Sequence, residues 1–124
     1  MSKQIIVIDD SDTVRQQVSI VLAEAGYEVL EAEDGLQGAT TIRENPTAAL
    51  AICDVNMPKL SGLEMLEFLK VQNIVIPIIM LTTEGRPDLM ERARACGAKG
   101  WMVKPFKPTM LLATVKKLAG PAVA

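Results

Sequence analysis

Residues 6–12 read IVIDDSD: an apolar run stops abruptly, and three acids, Asp9, Asp10 and Asp12, follow within four positions. With Gln4 and Ile5 ahead of it, the run is β-branched and almost wholly apolar. Such a stretch reads as a central strand of a parallel sheet, buried on both faces and left without a solvent side to make polar. The next residues supply the helix that covers it. Val14, Val18, Val21, Leu22 and Ala25 fall on one helical stripe, and Gly26 follows as a C-terminal stop. Ser11 or Asp12 is placed to cap this helix, so Asp12 need not belong with the other two acids.

Outward from this unit the chain alternates strand and helix five times. YEVLEA (27–32) is a shorter, more polar strand, expected nearer an edge. Asp34 can cap a helix ending near ENP (44–46), where Pro46 forbids continuation. ALAICD (49–54) is a third strand, and SGLE (61–64) is a capping box opening an apolar helix over Leu63–Leu69. IPIIMLT (76–82) is a fourth strand, followed by a helix from Pro87 to Cys96 that Gly97 ends. GWMV (100–103) is a short fifth strand, and Pro108 opens a last helix through Leu118. The alternation implies an α/β fold, a parallel sheet with helices on both faces. Without linker, repeat or low-complexity stretch, residues 1–124 read as a single domain, with a core over about 4–118 and a short tail at 119–124, of which GPAVA (120–124) reads as loose.

The polar residues share an address. The first strand ends at Asp9 and Asp10, the third at Asp54, the fourth at Thr82 and the fifth at Lys104. In a parallel sheet these C-terminal ends line one edge, where open α/β folds bind ligands. Asp9, Asp10 and Asp54 brought together would repel and raise one another's pKa, so something positive must hold them. With oxygen ligands only, a hard divalent cation fits best. Mg²⁺ is the natural choice, since it takes one or two carboxylates and keeps waters for a phosphate. Lys104 supplies a second, fixed positive charge.

Composition removes other chemistries. The 124 residues include no histidine, which excludes a Ser-His-Asp triad and a His-ligated zinc site. A net charge of -2 and only four aromatic residues argue against nucleic acid. No apolar stretch approaches the ~20 residues of a membrane span. No charged segment leads into an apolar one as in a signal peptide, so a cytoplasmic protein is expected. Cys53 and Cys96 read as buried small hydrophobes, and Met57 and Met65 as packing. Charge is uneven: residues 1–85 carry 13 acids and 5 bases, residues 86–124 carry 8 bases and 2 acids. This is either ordinary solvated surface or a basic partner-binding face.

IDDS, CDVNMPKLSG, MLTTE and GWMVKPF, in this order on these strand ends, resemble the receiver domain of two-component response regulators, in particular single-domain chemotaxis regulators. The resemblance covers about residues 4–118. It implies a flavodoxin-like (βα)5 fold, a doubly wound five-stranded sheet in the order 2-1-3-4-5. It makes Asp54 the phosphoryl acceptor, with Asp10 and Asp54 ligating Mg²⁺, Asp9 helping through water, and Asn56 contributing its backbone carbonyl. Thr82 and Lys104 match the phosphate-binding hydroxyl and amine, and the Lys104–Pro105 bond is expected cis, an isomer found in only ~5–6% of X–Pro bonds. Trp101 stands where the family generally has Tyr or Phe, a ring that turns inward when the threonine moves. An indole is larger and has an N–H that wants a partner when buried.

The implied partners are a sensor histidine kinase as phosphodonor, a phosphatase, and a downstream protein, the flagellar motor switch being the first choice. The downstream partner would meet the face formed by the fourth helix, fifth strand and fifth helix of a monomer. The chain ends after the fifth helix, so output is expected through another protein rather than by enzymatic turnover. A phosphorelay intermediate or a kinase-regulating receiver is the runner-up. From other classes, a haloacid-dehalogenase-type phosphatase would want a second Asp where Asn56 stands, and a dinucleotide-binding module would want a glycine-rich turn where DDSDT stands. A docking module that works unphosphorylated is the remaining alternative.

Overall fold

The computed structural model describes residues 2–123. Five strands, β1 (Gln4–Ile8), β2 (Glu28–Ala32), β3 (Leu50–Cys53), β4 (Ile78–Thr82) and β5 (Gly100–Val103), form one parallel sheet in the order β2-β1-β3-β4-β5. The helices between and after them are α1 (Asp12–Glu24), α2 (Gly35–Glu44), α3 (Gly62–Val71), α4 (Pro87–Ala95) and α5 (Pro108–Ala119). This is the flavodoxin-like order expected from the resemblance.

The burial of each strand follows its place. β3 and β4 are buried at every position, and β1 at all but Gln4. The edge strand β2 is largely open, and the other edge strand, β5, has no buried residue. Alternation along the central strands splits the core in two. Ile5, Val7, Ile52, Ile79 and Leu81 pack with α1 and α5 through Val18, Leu22, Leu111 and Val115. Ile6, Ile8, Ala51, Cys53 and Met80 pack on the other face with α2, α3 and α4 through Ile42, Leu63, Leu66, Leu69 and Ala93. Successive side chains of a strand point to opposite faces, so a continuous apolar run serves both layers.

The boundaries carry their local causes. Ser11, not Asp12, caps α1: its hydroxyl accepts the Val14 N–H at 3.2 Å. Asp34 caps α2 through the Gln37 N–H at 2.8 Å, and Ser61 with Glu64 closes the capping box of α3. α1 and α4 stop before Gly26 and Gly97, whose φ of 96° and 100° disfavour a side chain. β4 begins two residues later than IPIIMLT suggested, because Pro77 has no N–H to give the sheet. The Lys104–Pro105 bond is cis.

Two expectations need correction. Cys53 is fully buried, but Cys96, at the end of α4, is only half-buried. The tail over 120–123 is not loose. Ala122 is buried, its carbonyl accepts the Lys3 N–H at 2.8 Å, and Val123 bridges Ser2. The Lys3 ammonium donates to the Ala119 carbonyl at 2.7 Å and the Tyr27 hydroxyl to the Gly120 carbonyl at 2.6 Å. These two donors satisfy carbonyls that the end of α5 leaves open.

Candidate functional site

Register decides which residues meet. Ile8 pairs with both Ala32 and Cys53, so the next residues, Asp9 and Asp54, emerge side by side where the strand order reverses. The ladder continues one residue beyond the strands. The Asp9 N–H donates to Ala32 at 3.1 Å, the Asp54 N–H to Ile8 at 3.0 Å, and the Lys104 N–H to Thr82 at 2.8 Å. The chemistry-bearing residues are therefore held by the sheet's own hydrogen bonds rather than carried on free loops.

Asp9, Asp10 and Asp54 each bring a carboxylate oxygen within 4.8 Å of the others. Asp9 and Asp54 are buried and Asp10 is exposed. The Lys104 ammonium lies between the two buried acids, 2.8 Å from Asp9 Oδ2 and 3.0 Å from Asp54 Oδ2. The remaining oxygens take backbone donors: Asp9 Oδ1 accepts the Ser11 N–H at 2.9 Å, and Asp54 Oδ1 accepts the Val55 N–H at 2.7 Å. Asp10 has no hydrogen bond or ion pair among the described residues, which leaves its carboxylate open to a cation.

Burial raises the pKa of Asp9 against the lowering pull of its bond to Lys104; repulsion from Asp54 adds only a smaller push. The mutual repulsion expected from sequence is thus present but secondary to desolvation. Burial alone would lower Lys104, yet its bonds to Asp9 and Asp54 hold it above the usual lysine range, so it is a fixed cation. Burial, with a smaller push from Asp54 and Asp9, raises the Cys53 thiol far out of reach of neutral pH, which makes it packing rather than a nucleophile.

The loop after Asp54 is seated closely. A Cβ on Gly62 would stand 2.0 Å from the Asp54 carbonyl oxygen, so α3 can begin against the Asp54 backbone only at a glycine. The Gly62 N–H also donates to the Val55 carbonyl at 2.8 Å. Asn56 reaches across and donates from its amide to Glu84 at 3.0 Å, joining the β3–α3 loop to the loop after β4. Its main-chain carbonyl accepts no hydrogen bond among the described residues.

Thr82 is fully buried at the end of β4, where its hydroxyl accepts the Glu84 N–H at 3.3 Å. Trp101 pairs with Met80 across β5 and β4 and is half-buried. Its indole N–H donates to the Glu84 carbonyl at 2.9 Å. The partner that the indole wanted is therefore the backbone two residues beyond Thr82. Arg15 went unnoticed in the sequence, and it belongs to this corner: its guanidinium donates to the Asp9 carbonyl at 2.6 Å. The available signal was a lone base three positions after Asp12 in an acid-rich segment.

Residues 5–116 match a family model described as response regulator receiver domain. The chain belongs to that family. The receiver is similar to chemotaxis protein CheY1 of Helicobacter pylori J99, 36% identical over 120 residues, covering 94% of this chain and 97% of that one. It is equally similar, at 36% over 118 residues, to the phosphate regulon transcriptional regulatory protein PhoB of Pseudomonas aeruginosa, but there it covers only 51% of the relative. Among solved structures, chemotaxis protein CheY4 of Vibrio cholerae superposes with a TM-score of 0.87 at 38% identity, covering 95% of the receiver and 99% of CheY4.

Proposed function

We propose that this receiver is a Mg²⁺-dependent phosphoryl-accepting switch in which Asp54 takes the phosphoryl group. The observation that carries the reading is Lys104 bridging Asp9 and Asp54 beside an unpaired Asp10. The donor set fits the ion: three carboxylates and an unengaged Asn56 carbonyl are hard oxygen ligands. Asp10 and Asp54 would hold Mg²⁺ directly, with Asp9 acting through water. The bound ion would neutralise phosphoryl oxygen charge.

The chain's own groups supply the rest. A carboxylate oxygen of Asp54 attacks phosphorus, the bond from phosphorus to the donor breaks, and the donor leaves with the electron pair. For a sensor histidine kinase, the leaving group is the imidazole nitrogen. Lys104 neutralises a second equatorial oxygen, and the Thr82 hydroxyl donates to the third once it turns from the Glu84 N–H. The product is an acyl phosphate that water hydrolyses with help from the same groups, so the chain is a timed signal and not a turnover enzyme.

Output would leave through α4, β5 and α5, with Thr82 and Trp101 as the switch pair. Similarity to chemotaxis regulators along almost their whole length supports a chemotaxis role, with the flagellar motor switch as partner, for a cytoplasmic monomer also acted on by a phosphatase. Equal identity to PhoB favours keeping a phosphorelay or kinase-regulating role as the second reading, since the same unit serves other outputs. The haloacid-dehalogenase-type alternative loses support: Asn56, not an acid, stands two residues after Asp54 and is engaged with Glu84.

The test is labelling by acetyl phosphate. Wild type is expected to label only with Mg²⁺, and Asp54→Asn to label not at all while keeping its circular dichroism spectrum. Equal labelling of both proteins overturns the assignment. A phosphoryl-dependent pull-down separates the motor switch from the other outputs.

A further inference from the structure

We propose that Arg15 is a positioning residue that sets the metal-binding geometry of Asp10. The inference rests on the Mg²⁺ reading above. The Asp10 carboxylate makes no hydrogen bond or ion pair among the described residues, so the backbone on either side does most to place it. Downstream, Asp9 Oδ1 accepts the Ser11 N–H at 2.9 Å and closes a turn around Asp10. Upstream, Arg15 Nη1 donates at 2.6 Å to the Asp9 carbonyl, which belongs to the very peptide that joins Asp9 to Asp10.

The guanidinium is itself held. Its Nη2 bonds Asp12, in the first turn of α1, and its Nε bonds Glu31 of β2 at 3.2 Å. One side chain thereby ties the Asp9–Asp10 peptide to two separate elements. The side chain is only 13% exposed, unlike an ordinary surface arginine. The task suits a planar fork with five donors in fixed directions, whereas a lysine ammonium can serve these three acceptors only loosely.

Charge alone gives the opposite expectation. A cation close to a metal site repels the metal, so a purely electrostatic Arg15 would weaken Mg²⁺ binding and its removal would tighten it. A positioning Arg15 does the reverse. The two accounts differ in sign.

Mg²⁺ binding to the full chain, measured by calorimetry for wild type, Arg15→Gln and Arg15→Lys, decides between them, with thermal melts alongside. Arg15→Gln is expected to raise the Mg²⁺ half-saturation about tenfold, the size typical for loss of a group that orients a ligand. At saturating Mg²⁺, beryllofluoride binding is expected to return to the wild-type level, which general loosening of the fold would not allow. Arg15→Lys keeps the charge and is expected to fall between the two. Unchanged or tighter Mg²⁺ binding by folded Arg15→Gln overturns the inference alone. If that variant melts below the assay temperature, Arg15→Lys carries the test, and wild-type affinity there overturns the inference. Failure of wild type itself to bind Mg²⁺ overturns the metal reading and this inference with it.

Discussion

Lys104 does two things that pull apart when it is removed. Its ammonium occupies the space between Asp9 and Asp54, where a divalent cation held by the same carboxylates would have to compete with it. In the proposed reading it would also contact a phosphoryl group carried by Asp54. Lys104→Met is therefore expected to tighten Mg²⁺ binding while weakening beryllofluoride binding at least tenfold, because a charge-assisted contact to the phosphoryl mimic is lost. Parallel titrations with the two ligands check this; weaker binding of both would mean that Lys104 mainly holds the acids in place. At this scale the sequence was most legible: Asp9, Asp54, Thr82 and Lys104 each terminate an apolar run, and strand ends of a parallel sheet converge. Arg15 was not legible, because its partners lie just after β1, on α1 and on β2, and only the folded backbone brings the Asp9 carbonyl and Glu31 to it.

The helix after Asp54 shows how an element is fixed by a few local bonds. In the capping box at the start of α3, the Ser61 N–H donates to Glu64 at 3.0 Å and the Glu64 N–H to the Ser61 hydroxyl at 3.1 Å. The Ser61 N–H, with a smaller pull from the Ser61 hydroxyl, holds the Glu64 carboxyl below its usual range. A depressed carboxylate contributes stability that is present above its unfolded pKa and lost as pH falls through the folded one. Ser61→Ala is expected to cost about 1 kcal/mol at neutral pH and to move the Glu64 titration, followed by NMR, only partway back toward its usual range, because the Ser61 N–H remains; unchanged stability would mean that the box does not form in solution.

β5 carries the second elementary device. The Trp101 indole bond to the Glu84 carbonyl links the ring to the loop that must move if Thr82 turns to a phosphoryl group. Beryllofluoride with Mg²⁺ is expected to reduce acrylamide quenching of Trp101 relative to Mg²⁺ alone, and Asp54→Asn to abolish that part. Unchanged quenching with the mimic bound would route the signal through α4 and its preceding loop instead. Elements were readable because capping box, proline and glycine signals are local. The docking of 120–123 was not, because its partners Ser2, Lys3 and Tyr27 are about a hundred residues away in sequence and carry no local mark.

Across the whole molecule, the basic excess after residue 85 is less free than the sequence suggested. Arg86 pairs with Asp88, Arg92 with Glu67 and Arg94 with Glu91, all at exposed positions where such pairs stabilise little. Lys99, Lys107, Lys116 and Lys117 have no ion-pair partner among the described residues and lie on or beside α4, β5 and α5. An acidic partner segment is expected to associate several-fold more slowly as ionic strength rises from about 0.01 to about 0.15 M, where the Debye length falls from about 30 to about 8 Å. A rate that ignores salt would reduce the asymmetry to solvated surface. The proposed function depends on one covalent event at the sheet edge. Its most direct measurement is borohydride trapping after incubation with acetyl phosphate and Mg²⁺, followed by peptide mass mapping. An acyl phosphate on Asp54 is expected to be reduced at that residue alone, and only when Mg²⁺ was present; reduction at another carboxylate, or none in a folded and Mg²⁺-loaded protein, would contradict the account.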